Sequence, residues 1–254
     1  MAFDVAAEAY DRYMGRYSGP LADELLAAAP VDAGWRALDV GCGPGALTVR
    51  LVERLGAARV AGVDSSRTFA EAAAERLPGA DIRVAPAERL PFADGDFDAV
   101  YAHLVVPFMT DADAGVAEMR RVGRAGGCVA VTAWDHSGGG GPLTAFWSAA
   151  REVDPGAPDE SGLRGARDGD LAAVLEGAGL TRIEHRALTV TVAHADFAEW
   201  WTPYTFGVGP AGDYLRNLDP VQRGAVEDRA RRTLGDGPIV IRGRAWCATG
   251  RIPG

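Results

Sequence analysis

The sequence predicts an α/β protein: a doubly wound, mostly parallel sheet of seven strands with a small helical cap. Short apolar runs bounded by Gly or Asp alternate with longer stretches of helical period, the pattern of a parallel sheet covered by helices. A glycine-rich turn, Gly41-Cys42-Gly43-Pro44-Gly45, sits between the first apolar run and the first helix of this alternation. At 254 residues, 48% hydrophobic and 24% charged, the chain has the length and composition of one large folded domain or of a core with a modest cap.

Strands are expected near Ala37–Val40, Val60–Val63, Ile82–Ala85, Ala99–Ala102, Cys128–Ala133, Arg182–Val192 and Ile239–Ala248. Between them the spacing predicts helices over Ala46–Leu55, Thr68–Leu77, Ala112–Val122, Thr144–Val153 and Asp170–Gly177. Ser66 is a suitable N-cap for the second of these, and Gly179 stands where a helix end takes a left-handed residue. Three stretches fall outside the alternation. Residues 1–34 read as an N-terminal helical lid rich in Tyr, preceding a core of residues 35–254. Residues 154–169, rich in Pro, Gly and Arg, read as a mobile loop. Residues 194–237 read as a cap insertion with aromatic residues and a helix near Val221–Leu234.

Composition excludes several chemistries. The net charge of −9 disfavours a nucleic-acid partner, because phosphate binding leans on excess positive charge. All 26 basic residues are arginine, so a lysine-bearing phosphate loop, a Schiff-base lysine and a Tyr/Lys dehydrogenase pair are ruled out. Cys42, Cys128 and Cys247 lack metal-ligand spacing; no metal is expected, and sparse cysteines fit a reducing cytoplasm. The start, Met1 to Val5, has neither the basic nor the apolar region of a secretory leader, and no apolar run is long enough to cross a bilayer.

The glycine turn is most informative through its neighbours. Its spacing is G-x-G-x-G, shorter than the dinucleotide fingerprint, and Asp39 precedes it by two positions. A pyrophosphate would sit poorly beside that carboxylate, whereas an ammonium group would be stabilised by it. A zwitterionic amino-acid tail therefore suits the turn better than a dinucleotide. Asp64, followed by Ser65 and Ser66, ends the second strand about 20 residues on, where a carboxylate can accept both hydroxyls of a ribose. The competing reading of Asp64 is a helix N-cap.

Asp39-x-Gly41-x-Gly43-x-Gly45, Asp64, Ala87-Glu88-x-Leu90-Pro91-Phe92, Phe97-Asp98, Glu118-Met119-x-Arg121-Val122 and Ala125-Gly126-Gly127 together resemble the class I S-adenosylmethionine-dependent methyltransferases of small molecules. The resemblance covers roughly residues 35–135. It implies a Rossmann-like methyltransferase fold ending in an antiparallel hairpin, S-adenosylmethionine as cofactor and S-adenosylhomocysteine as product. It places Asp39, Gly41, Cys42, Gly43, Gly45, Asp64 and Ser65 around that cofactor, with the Ala87 N–H at the adenine ring. The family often has Asp where this chain has Pro86, so Glu88 becomes a candidate for the adenine amino group, against a plain surface role. Arg16 and Tyr17 resemble the family's lid, Arg16 pairing with the cofactor carboxylate and Tyr17 covering its methionine portion.

Methyl transfer from a sulfonium is an in-line displacement that depends on alignment, with a general base optional. His103, at the end of the fourth strand, is a candidate base, substrate donor or cofactor-lining residue, the last preferred; His136, after the fifth, is its rival. Trp147, Trp200, Trp201 and Tyr204 are candidates for an apolar pocket around a small-molecule substrate, or for plain packing of the cap. Two other function classes remain open at this point: a nicotinamide-dependent oxidoreductase and a protein that binds S-adenosylmethionine without turnover.

Overall fold

The computed structural model describes residues 7–254; the stretch Met1 to Val5 inspected for a leader, and the first six residues of the expected lid, lie outside the described residues. The seven strands are β1 Ala37–Val40, β2 Val60–Asp64, β3 Asp81–Val84, β4 Phe97–His103, β5 Gly123–Trp134, β6 Thr181–His194 and β7 Ile239–Arg251. They form one sheet in the order β3-β2-β1-β4-β5-β7-β6. Strands β1 to β5 are parallel, while β7 runs antiparallel to both β5 and β6. The helices are α1 Ala7–Tyr10, α2 Arg16–Ala28, α3 Thr48–Leu55, α4 Arg67–Arg76, α5 Ala112–Val122, α6 Thr144–Val153, α7 Asp170–Gly177, α8 Phe197–Trp201, α9 Gly209–Asn217 and α10 Pro220–Leu234. A π-helical turn, Asp11–Gly15, joins α1 to α2.

Side chains alternate across a strand, so the central strands serve two cores. Leu38, Val40, Val100, Ala102, Val129 and Val131 face the core shared with α5 and α7. Ala37, Ala99, Tyr101, Ala130 and Trp134 face the core shared with α2, α3 and α6. By the same alternation Asp39, His103 and Thr132 point toward the face that α2 and α3 cover, at the carboxyl ends of β1, β4 and β5. Their neighbours confirm it: Thr48 reaches Asp39, and the Ser18 carbonyl reaches His103. The chain turns one way from β1 to β2 and the other way to β4. The crevice outside β1 and β4 is therefore the switch point where ligands bind in open α/β sheets.

Several expectations change. α3 begins at Thr48, not Ala46, because Gly41, Gly43 and Gly45 all take positive φ and hold the chain in turns up to that point. The Ser66 N-cap is as expected, accepting from the Phe69 N–H, and Gly179 has φ +77 just past α7. The described part of the N-terminal segment packs as core: Leu21, Ala22 and Leu25 of α2 are fully buried, and α2 lies against β6. Residues 154–169 are irregular but anchored. Glu160 is buried there and accepts the Trp147 indole N–H at 2.8 Å, a pairing that an isolated buried carboxylate requires.

Candidate active site

The glycine turn is bound to the end of β2. The N–H groups of Gly41 and Cys42 both donate to the Val63 carbonyl, at 2.7 and 2.9 Å. Asp64, the last residue of β2, accepts the Gly43 N–H on one carboxylate oxygen and the Ser66 N–H on the other, both at 2.8 Å. One side chain thus sets the turn against the start of α4. Gly41 (φ +69) has no room for a methyl group, since a Cβ there would overlap the Val105 side chain. Gly43 (φ +55) is the opposite: nothing lies within 4 Å of where its Cβ would stand, so the turn presents open backbone to a ligand.

Beneath the turn, Asp39 is 1% exposed. Its Oδ2 accepts the Thr48 hydroxyl at 2.7 Å, while Oδ1 is buried with no hydrogen-bond partner among the described residues. Burial pushes the Asp39 carboxyl up to about 7, opposed by the Thr48 hydrogen bond and reinforced by the charge of Asp64. A folded-state pKa above the unfolded value near 3.9 means that folding takes up a proton between these limits. Stability of the free protein should therefore fall as pH rises from about 4 to about 7. Asp39→Asn should flatten that slope in thermal melts; an unchanged slope would show that the carboxyl titrates normally. An ammonium ligand reverses the preference by pairing with the ionised form.

Asp39, the turn at residues 41–44, Tyr10, Ser18 and His103 line one cavity. His103 is buried, and both ring nitrogens are engaged. Nε2 lies 2.9 Å from the Ser18 carbonyl, which only accepts, so Nε2 carries the proton. Nδ1 then accepts from the Thr132 hydroxyl at 3.0 Å, and the same hydroxyl oxygen accepts the Leu104 N–H. Burial pushes this imidazole down to about 4, so it is neutral at physiological pH with its lone pair taken. His103 is placed to line the cavity, and both hydrogen bonds must break before it acts as a base. The pH–rate profile should accordingly show no limb near 6.5 that Gln at position 103 removes.

The other expected residues divide. Gly45 (φ +103) closes the turn, its N–H donating to the Cys42 carbonyl. Ser65 is exposed beside Asp64. Ala87 is half-buried at the start of the turn after β3. Glu88 is tied on one oxygen: its Oε1 accepts the Asp111 N–H at the start of α5. Arg16 does not reach the glycine turn: it pairs with Glu199 at 2.9 Å and donates to the Ala193 carbonyl, drawn to the end of β6 by that carboxylate. Tyr17 likewise lines a second, aromatic cavity, its hydroxyl 2.8 Å from His194 Nε2. His136 lines neither of these cavities; it lies buried beside Glu160, Nε2 to Oε1 3.9 Å, and burial lowers its pKa. Trp200 and Tyr204 line the aromatic cavity. Trp147 and Trp201 stand behind it, the one tied to Glu160 and the other stacked on Phe197 at 6.0 Å.

Tyr10, Tyr13, Ser18, Thr48, Glu160 and His194 were not singled out as site residues from the sequence. Thr48 had a signal, being a hydroxyl at the start of the helix behind an acidic strand end. Tyr10 and Tyr13 lie in the stretch read as the lid, without a role of their own; Ser18, Glu160 and His194 had no signal, because their partners are not local in the chain.

Residues 38–131 match the family described as methyltransferase domain. Over 116 residues the chain is 38% identical to a trans-aconitate 2-methyltransferase of Azoarcus sp. (strain BH72), covering 43% of each protein. The chain spans less than half the length of the curated relatives it matches first. Its fold is that of a Bacillus halodurans C-125 protein (TM-score 0.62, 17% identity, 92% of this chain and 99% of that one). It is also that of a Haemonchus contortus phosphoethanolamine N-methyltransferase in complex with S-adenosylhomocysteine (TM-score 0.59, 16% identity, 99% of this chain and 58% of that one). Residues 38–131 thus match a methyltransferase domain, and they are set in a seven-stranded sheet of the fold shared with those solved structures.

Proposed function

We propose that the protein transfers the methyl group of S-adenosylmethionine to a small, partly apolar metabolite. The observation that carries this reading is the unpartnered, buried Asp39 oxygen beneath an open glycine turn. A buried carboxylate oxygen without a partner is costly, and the ammonium end of the cofactor supplies one. The cavity's lining offers the carboxylate of Asp39 and a neutral His103, and the charge of Asp64 acts on Asp39; this concentration of negative charge argues against a pyrophosphate and so against the nicotinamide reading. Asp64 keeps a second lone pair on each oxygen for ribose hydroxyls, and Ala87 follows β3 where the adenine ring would lie.

The bound cofactor supplies an electrophilic methyl on a sulfonium. The chain's own contribution is alignment and exclusion of water: α2 covers the crevice from above, and His103 holds Ser18 and Thr132 together across it. The relative named for trans-aconitate acts on a tricarboxylate. Here the aromatic cavity is lined by Tyr, Trp, Leu, Pro and His194, and Arg12, itself paired with Glu8, is its one guanidinium among the described residues. That lining suits an apolar acceptor. The net charge of −9 argues against nucleic acid, the three unpaired cysteines fit a reducing cytoplasm, and no described helix is long and apolar enough to cross a membrane.

S-adenosylhomocysteine, and not NADH, should raise the melting temperature of the purified protein; at about 100 times Kd the stabilisation is about 2.7 kcal/mol. Labelled S-adenosylmethionine with a metabolite extract should then yield a labelled product. A larger shift with NADH would overturn the cofactor reading. Binding without transfer to broad extracts would favour a silent binder.

A further inference from the structure

The space enclosed by Asp39, His103, the glycine turn, Tyr10 and Ser18 is about 20 Å³, room for about one water molecule. A nucleoside joined to an amino acid needs a cleft on the order of 300 Å³ or more. Part of the wall must therefore move before such a molecule enters. The sheet side is held fast: Asp39 and His103 stand on strands paired to both neighbours, and the turn is bonded to Val63 and Asp64. The opposite wall, Tyr10 and Ser18, belongs to the N-terminal segment.

The two halves of that segment are held differently. From Arg16 onward it is fixed: Arg16 pairs with Glu199, the Tyr17 hydroxyl lies 2.8 Å from His194 Nε2, and the Ser18 carbonyl accepts from His103. Leu21 and Leu25 then anchor α2 in the core. Upstream, no residue of α1 is buried as these are. Its ties run to α4: the Tyr10 ring meets Phe69 edge-on at 5.3 Å, and Asp11 accepts from Arg76 Nη2 at 2.5 Å. The side chains of this ion pair are 34% and 45% exposed, and such pairs hold weakly. Through Nη1 the same Arg76 donates to the Pro44 carbonyl at 3.2 Å, so the tie extends to the glycine turn. Between the halves stands the π-helical turn Asp11–Gly15, a departure from α-helical bonding of the kind that recurs at functional sites. Of the two residues set against the cavity, Tyr10 is the one on the loosely held half. Partial burial pushes its phenol up, and the charges of Asp64, Asp11 and Asp39 push it further, so the hydroxyl lies within reach of both site carboxylates.

We infer, resting on the proposed cofactor site, that residues 7–12 are a door held shut on α4 by the Asp11–Arg76 and Tyr10–Phe69 contacts, which swings out about the π-helical turn and carries Tyr10 off the glycine turn, while α2 stays in place. Closure then competes with the cofactor. The apparent dissociation constant is the intrinsic one divided by the fraction of open protein. Loosening the door must tighten binding, the reverse of what damage to a binding site does.

Asp11→Asn, which removes the charge from the ion pair, should tighten S-adenosylhomocysteine binding by about threefold in calorimetric titration of the whole protein. In stopped-flow fluorescence the association rate should rise by the same factor, with the dissociation rate unchanged. Glu8→Gln, which breaks the Glu8–Arg12 pair on the same stretch without touching α4, should change neither. Backbone amides of residues 8–12 should exchange with deuterium faster in Asp11→Asn than in wild-type protein, and those of α2 at the same rate. An Asp11→Asn protein that binds S-adenosylhomocysteine no more tightly than wild type overturns the door. So does unchanged exchange over residues 8–12. If neither protein binds S-adenosylhomocysteine and the exchange still rises, the cofactor reading fails and the door stands over a site for another molecule.

Discussion

Replacing Asp64 with Ala should weaken S-adenosylhomocysteine binding by at least about 100-fold, the largest loss expected of any single site residue. Two separate losses combine. The Gly43 and Ser66 N–H groups each lose a carboxylate acceptor, so the glycine turn loses its tether to α4. The ribose hydroxyls lose a charged acceptor, and hydrogen bonds to charged groups contribute roughly 1.5–3 kcal/mol each. Asp64→Asn should recover little, because its amide would turn an N–H toward a backbone N–H on one side. Calorimetric titration, with circular dichroism to confirm folding, checks the result. A dissociation constant within about threefold of wild type would show that Asp64 organises neither turn nor ligand.

Gly41→Ala should produce the largest loss of stability, about 3 kcal/mol and a fall in melting temperature of roughly 10 °C. The φ of +69 costs an L-residue about 1–2 kcal/mol, and the added methyl overlaps three carbons of Val105, the farthest at only 2.9 Å. Relieving part of that overlap tests the steric contribution. In the Gly41→Ala, Val105→Ala double variant the overlap with the two Val105 methyl carbons is relieved, while the overlap with its Cβ at 2.6 Å and the backbone strain stay, so only part of the loss should be recovered. Melting temperatures of the two single variants and the double variant measure the coupling. If Gly41→Ala alone melts within about 2 °C of wild type, the turn is not held as tightly as its hydrogen bonds to Val63 indicate.

Both positions were legible in the sequence for the same reason. A positive φ next to a close contact admits little besides glycine, and a strand that ends in Asp ahead of a helix leaves a local mark. The strands were legible too, since their apolar runs carry the burial pattern of β1, β4 and β5 in order. The ends were less so: β5 and β7 extend beyond their apolar stretches because backbone pairing, which no side chain advertises, continues to Gly123 and Arg251.

The roles of polar side chains diverged most. Arg16 and Tyr17 lie in a segment that resembles a cofactor lid, yet Glu199 and His194 draw them to the end of β6. Glu88 follows the motif after β3, and one oxygen of its carboxylate accepts the N–H of Asp111, a partner the motif does not announce. His136 follows a central strand and His103 ends one, yet His136 turns toward Glu160, which lies in a segment that composition marks as a loop.

By itself the sequence determined the α/β alternation, the glycine turn and the acidic pair Asp39 and Asp64, because backbone conformation and burial period are local properties written every two to four residues. The tertiary structure alone decided which polar atoms meet. The Tyr17–His194 bond joins residues 177 apart and the His103–Ser18 bond residues 85 apart, and no periodicity encodes such partners. Alternation along a strand says that His103 and Asp39 share a face. Only packing of α2 onto that face says what covers them, and so sets Ser18 over His103 beside the glycine turn.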